Sequence, residues 1–190
     1  MSGRIVFLLE EPSMKHLLET LLPRLFPGWV PGLNFLCIQH EGKSDLRKSI
    51  PRKIRAWQAP EDRFIVVHDQ DSAECRSLKA DLQTLCTDTS KAACLVRIVC
   101  RELEAWYLGD LEALAEEYAD SSLLHVRTRK KFNDPDSCDQ PSRWLEKHVN
   151  GFQKISAAAR MGRRLHPGSN RSRSFQVFIE GVRRLQTEMV

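Results

Sequence analysis

Apolar and polar positions alternate in blocks along this chain, and the blocks have two periods. "RIVFLLE" is a short continuous apolar run and predicts a strand over about Ile5 to Leu9, closed by Glu10 and Glu11. "PSMKHLLETLLPRLF" then places Met14, Leu17, Leu18, Leu21, Leu22 and Leu25 at helical spacing. Pro12 falls in the first turn, where its missing donor does no harm. "LNFLCIQH" predicts a second strand. The polar stretch "EGKSDLRKSIPRKIRAWQAPED" predicts a short helix on either side of Pro51. "RFIVVHD" is the third strand and the most apolar. "SAECRSLKADLQTLCTD" predicts a helix with Ser72 as its candidate cap. A fourth strand, about Cys94 to Cys100, leads into the helical "ELEAWYLGDLEALAEEYA".

Beyond Tyr118 the pattern weakens. "RTRKKFNDPDSCDQPSRW" predicts a charged loop rich in Asp and Pro. Two helices follow, about Pro141 to His148 and Phe175 to Glu188, with the Gly/Ser/Arg loop "HPGSNRSRS" between them. The alternation of strand and helix predicts an α/β fold with a largely parallel sheet. The strands are too apolar to leave one face wet, so helices are expected on both sides. The expected organisation is one domain, with a core of about 1–120 and a helical, basic extension of about 121–190.

Composition narrows the classes. The 190 residues are 42% hydrophobic and 28% charged, which fits a globular domain with a real core. The net charge of +4 permits nucleic-acid contact without requiring it. Its distribution is more telling: seven arginines lie between Arg160 and Arg184 against one acid, Glu180, while Glu102 to Asp120 is acidic. The six cysteines form no C-x-x-C pair, which argues against a zinc ribbon. No 18-residue apolar stretch predicts a membrane span, and "MSGRIVFLLEE" turns acidic too soon for a secretory leader. A cytoplasmic setting is the resulting expectation.

The candidate chemistry lies at strand ends, where ligands of parallel α/β sheets collect. The first strand ends at Glu10, the third at Asp69-x-Asp71, and the fourth is followed by Glu102-x-Glu104. The i, i+2 spacing predicts that Asp69 and Asp71 share one side of an extended segment and one cation. Clustered carboxylates repel unless a proton or metal intervenes, and all-oxygen ligands favour Mg²⁺ or Mn²⁺. Each acid also has a structural reading: Glu10 suits a helix N-terminus, and Asp110 is expected to cap the helix that follows it. His68 beside the aspartates is expected to be structural, and Trp106 and Tyr107 to pack a helix on the sheet. Arg171 and Arg173 in "SNRSRSF" are candidate phosphate contacts, with Ser169, Ser172 and Ser174 as added donors.

A Glu after the first strand and D-x-D after the third resembles the Toprim pattern of topoisomerases, primases and overcoming-lysogenisation-defect (OLD) nucleases. More closely, the chain resembles a bacterial domain-of-unknown-function family of Toprim-like proteins of about this length. The resemblance rests on "LLEEPSMKHLLETLLPRL", "VVHDQDSAECRSLK", "RIVCRELEAWYLGDLEAL", "GFQKISAAARMG" and "NRSRSFQVFIEGVRRL". It implies a Toprim-like (Rossmann-like) fold and a Mg- or Mn-dependent nuclease acting on nucleic acid, DNA before RNA. It also implies an ATPase partner in a system resembling phage defence. Carried over by position, Glu10, Asp69, Asp71 and Glu104 (or Glu102) are the metal ligands. Lys154 steadies transition-state charge and contacts nucleic acid. The related pattern after the first strand is Glu-Gly-x-x-Glu; here Glu11 stands for the glycine and Met14 for the second glutamate. Glu11 is expected to point away from Glu10 on extended backbone. The rivals are a non-catalytic docking subunit of an ATPase with a vestigial metal site, favoured by Met14, and a nucleotide phosphohydrolase.

Overall fold

The structure, a computed structural model, describes residues 3–88, 94–128 and 133–189. Four strands form one parallel sheet: β1 (Ile5–Leu9), β2 (Phe35–Gln39), β3 (Arg63–Asp69) and β4 (Cys94–Val99), in the order β2-β1-β3-β4. The first crossovers are α1 (Pro12–Leu25), α2 (Lys43–Ala56) and α3 (Cys75–Thr87). After β4 come α4 (Glu104–Gly109), α5 (Leu111–Tyr118), α6 (Pro141–His148), α7 (Lys154–Gly162) and α8 (Arg173–Glu188). The α/β reading and the helical C-terminal part therefore hold. Within the expected loop, residues 129–132 lie outside the described residues.

Side-chain alternation sorts the strands into two layers. Ile5, Phe7 and Leu9 of β1 share one apolar core with Ile65 and Val67 of β3, α1, α4, α7 and α8. Val6, Leu8, Phe64 and Val66 share the other with α2 and α3. With both faces covered, the central strands β1 and β3 have no wet side, which is why they read as apolar runs.

Three local expectations are corrected. α2 runs unbroken through Pro51. Its buried stripe Leu46, Ile50 and Ile54 spans the proline, and burying that stripe on the sheet outweighs one lost i→i−4 bond. α3 is capped by Glu74, which accepts from the Arg76 and Ser77 amides, and not by Ser72. The Ala-rich helix α7 has no counterpart in the predicted elements. Its buried residues are small (Ala157, Ala158 and Gly162, with Met161), so the hydropathy signal is weak. Those small residues let α7 lie against α1: a Cβ on Gly162 would stand 2.6 Å from the Leu17 carbonyl.

The two segments "ELEAWYLGD" and "NRSRSF" dock on one another. Asn170 donates to the Trp106 carbonyl (2.8 Å), and the Arg171 amide donates to the Gly109 carbonyl (2.9 Å). Ser172 caps α8 by accepting from Phe175, and donates to Asp136 (2.6 Å). Ser174 accepts from the Trp106 indole (2.9 Å), and Trp106 packs on Phe175 and Phe178. Gly109 is required there, since a Cβ would meet the Ser172 amide at 2.9 Å.

A candidate acid site at the sheet crevice

In an open parallel sheet the ligand crevice opens where the strand order reverses. Here that point lies between β1 and β3, whose crossovers leave on opposite faces: α1 with one core, α2 and α3 with the other. The chain leaves β1 through Glu10 and Glu11 and leaves β3 through Asp69.

The parallel register decides which acids meet. Leu9 pairs with Val67, so two further places bring Glu11 level with Asp69 and Glu10 level with His68. Glu11 keeps extended backbone (φ −141°, ψ 162°), so the alternation continues through it. Glu10 accordingly turns to the other layer: its Oε2 lies 2.9 Å from His68 Nδ1 and accepts the Asp69 amide (3.0 Å). Glu11 does point away from Glu10, as expected, but that direction carries it into the site. Of the charges acting on Asp69, that of Glu11 is the largest.

Asp69 and Asp71 part company, which corrects the shared-side expectation. Asp71 adopts left-handed backbone (φ 51°), and so does Arg101 (φ 60°) across from it. The Asp71 amide donates to the Arg101 carbonyl (2.8 Å), tying the two strained turns together. The extended geometry is therefore lost at residue 71. Asp71 is half-exposed and pairs with Lys43 (3.0 Å).

Asp69, Glu11, Glu104 and Lys154 form the centre. Glu104 opens α4 and is fully buried. Lys154 opens α7 after a turn at Gly151 (φ 73°), and its Nζ stands 3.8 Å from Glu104 Oε1 and 3.9 Å from Glu11 Oε2. Both are ion-pair distances beyond hydrogen-bond reach. Asp69 Oδ1, both Glu104 carboxyl oxygens and the Tyr107 hydroxyl are buried without a hydrogen-bond partner. Tyr107 lies three residues after Glu104, on the same face of α4. The sequence points to helix packing for Tyr107 ahead of base stacking, and directs Glu11 away from Glu10. The signal for Glu11 was the alternation itself, carried one residue past the strand.

Electrostatics follow from this enclosure. Burial, then Glu11, Glu104 and Glu10, hold the Asp69 carboxyl well above the usual range, with Lys154 opposing. Burial lifts Glu104 to about 7; Lys154 opposes and Glu11 adds. Burial alone would depress Lys154, but Glu104 and Glu11 outweigh it and raise the ammonium. Burial and the acids Glu104, Glu11 and Asp69 keep the Tyr107 phenol protonated.

A buried acid need not be in this condition. Asp62, at the opposite sheet edge, accepts from the Arg4 amide (2.7 Å), the Arg4 guanidinium (3.0 Å) and the Trp57 indole (3.0 Å). Burial opposes, yet those bonds hold it below the ordinary carboxylate range. Orphaned buried acids at a crevice mark a candidate site, which a satisfied acid such as Asp62 does not.

The remaining candidates lie outside this cluster. Glu102 accepts the Ser142 amide (2.8 Å) at the start of α6. Asp110 caps α5 through Ala113, as expected, and also holds the His166 amide and the Ser169 hydroxyl. The Ser169 hydroxyl donates to Asp110, and those of Ser172 and Ser174 donate to Asp136. Arg171 lines a cavity of about 490 Å³ with Gly109, Asp110 and Ser169. Arg173 is exposed and faces Glu180 (3.6 Å). Arg160 and Arg164 of the basic segment pair with Glu117 and Glu116 of the acidic 102–120 stretch. Met14, at the expected second glutamate, is buried in the core. Among the described residues, no three His, Cys, Asp or Glu side chains stand close enough together to hold a metal ion.

Among the described residues, no helix is long and apolar enough to cross a membrane. No curated protein and no solved structure matches the chain. The model of one family, described as "Domain of unknown function (DUF4276)", matches residues 9–183 and so takes in the strand-end acids, α4, α7 and the docked "NRSRSF" segment. The chain belongs to that family.

Proposed function

We propose that this acid cluster is the centre of a Mg²⁺- or Mn²⁺-dependent hydrolase of nucleic-acid phosphodiesters, DNA before RNA, on a Toprim-like sheet. The observation that carries the reading is the set of buried oxygens without hydrogen-bond partners, Asp69 Oδ1 and both of Glu104, at the strand-order reversal. An all-oxygen donor set fits a hard divalent cation. Asp69, Glu104 and Glu11 would hold it only on drawing closer together than they stand in this structure, in place of the Glu10 and Asp71 that the Toprim pattern suggests. When bound, such an ion polarises a phosphoryl oxygen and lowers the pKa of a water.

The chain's own residues do the rest. Lys154 supplies a positive charge beside the acids for a phosphoryl group gaining negative charge. The protonated Tyr107 hydroxyl is a donor held in a dry setting. Glu10 fixes the Asp69 amide and His68, and so the direction of Asp69. Arg171 and Arg173 remain candidates for the nucleic-acid backbone.

The test joins binding and cleavage. Mn²⁺ binding is measured by calorimetry, and plasmid, linear and single-stranded substrates are incubated with Mn²⁺, Mg²⁺ or EDTA. Metal-dependent cutting lost in Asp69→Asn and Glu104→Gln supports the reading. Tight Mn²⁺ binding unchanged in both variants, or cutting that survives them, overturns it.

A second reading has its own observation. Lys154 already supplies a cation to Glu11 and Glu104, and Met14 removes a ligand. On this reading the domain is a non-catalytic docking subunit of an ATPase. Absence of Mn²⁺ binding, with raised ATP turnover by an adjacent-gene ATPase on adding this protein, favours it.

A further inference from the structure

Cys86, in the last turn of α3, and Cys94, the first residue of β4, bring their sulfurs to 2.8 Å. Neither is in a disulfide. A sulfur–sulfur bond is about 2.05 Å long, so the pair stands roughly 1 Å or less from bonding distance. Both residues are held by regular structure. Cys94 pairs with Phe64 in the sheet register, and Cys86 is buried with Leu78 and Leu82 in the layer that α3 shares with the sheet.

We propose that Cys86 and Cys94 form a dithiol site that closes to an intramolecular disulfide on exposure to a hydroperoxide, stapling the end of α3 to the start of β4. The half-buried Cys94 sulfur attacks a peroxide oxygen. The O–O bond breaks, Cys94 becomes a sulfenic acid, and water or an alcohol leaves. The Cys86 sulfur then attacks Cys94, the S–O bond breaks, the S–S bond forms, and water leaves with the thiol proton. Two thiols lose two electrons and two protons, and the peroxide takes both.

The hydrogen bond to Cys86 and burial keep the Cys94 thiol protonated. The reaction is therefore slow, and it quickens with pH, unlike that of a fast peroxide sensor. The pair lies at the start of β4, and the acid site lies past the carboxyl ends of the strands. Closure thus does not depend on the function proposed above.

The full chain is incubated with excess hydrogen peroxide under native conditions, then denatured, alkylated, cut with trypsin and weighed. Cleavage after Lys91 places the two cysteines on separate peptides, joined only if the disulfide has formed. The expected product is the joined pair, lighter by two hydrogens, separated by reductant and absent from Cys86→Ser. Alkylation of both cysteines after full peroxide exposure overturns the proposal, as does a bond from either one to a different cysteine.

Discussion

Lys154 Nζ stands 3.8 Å from Glu104 Oε1, at the meeting point of two helix starts that lie 50 residues apart in the chain. The lysine eases the buried acid without satisfying it, and Glu104 still titrates near 7. A carboxyl raised from 4.5 to about 7 by folding binds more protons folded than unfolded across that interval. Its contribution favours the fold fully below 4.5 and is lost as pH rises through 7; Asp69 acts in the same direction. Unfolding by urea in EDTA should show stability falling between pH 5 and 8, with Glu104 accounting for up to about 3 kcal/mol. Glu104→Gln should remove most of its share and be the more stable protein at pH 8. A flat profile for both proteins refutes the assignment.

Tyr107→Phe separates packing from chemistry. The phenol has no hydrogen-bond partner, so removing its oxygen takes away a buried unsatisfied group. Stability should be unchanged or higher by about 1 kcal/mol, while metal-dependent cleavage falls at least tenfold if the hydroxyl serves the site. A loss of stability above about 2 kcal/mol would reveal a hidden partner and return Tyr107 to the core.

Gly162→Ala tests the close approach of α7 to α1. The added methyl collides with Thr20 Oγ1 and the Leu17 carbonyl, one of them backbone that cannot yield cheaply. A destabilisation of about 2–4 kcal/mol is expected. Because Lys154 opens the same helix, Glu104 should titrate higher in this variant, readable as an upward shift of its step in the stability profile.

Ser172→Ala tests the docked segment. Ser172 caps α8 and donates to the Asp136 carboxylate. Loss of cap and donor together should cost about 1–3 kcal/mol in denaturant unfolding. A change within about 0.5 kcal/mol would show that the segment is held by its other bonds, among them Asn170 to Trp106 and the Arg171 amide to Gly109.

The sequence by itself determined the sheet and its crossovers, because continuous apolar runs and 3.6-residue stripes are local signals. It also located the acids at strand ends, and it placed Asp110 correctly as a cap. It did not show α7, whose buried face is Ala and Gly and whose stability comes from fitting against α1. Nor did it show α2 passing through Pro51, where burial overrides a propensity. Which acids meet was a tertiary decision. Parallel register sends Glu11 toward Asp69 and Glu10 toward His68, and the left-handed turn at Asp71 breaks the D-x-D pair. Only the folded chain then buries Asp69 Oδ1, the Glu104 carboxyl and the Tyr107 hydroxyl without hydrogen-bond partners. Register and enclosure both arise from contacts between segments distant in sequence, and no local pattern of residues encodes them.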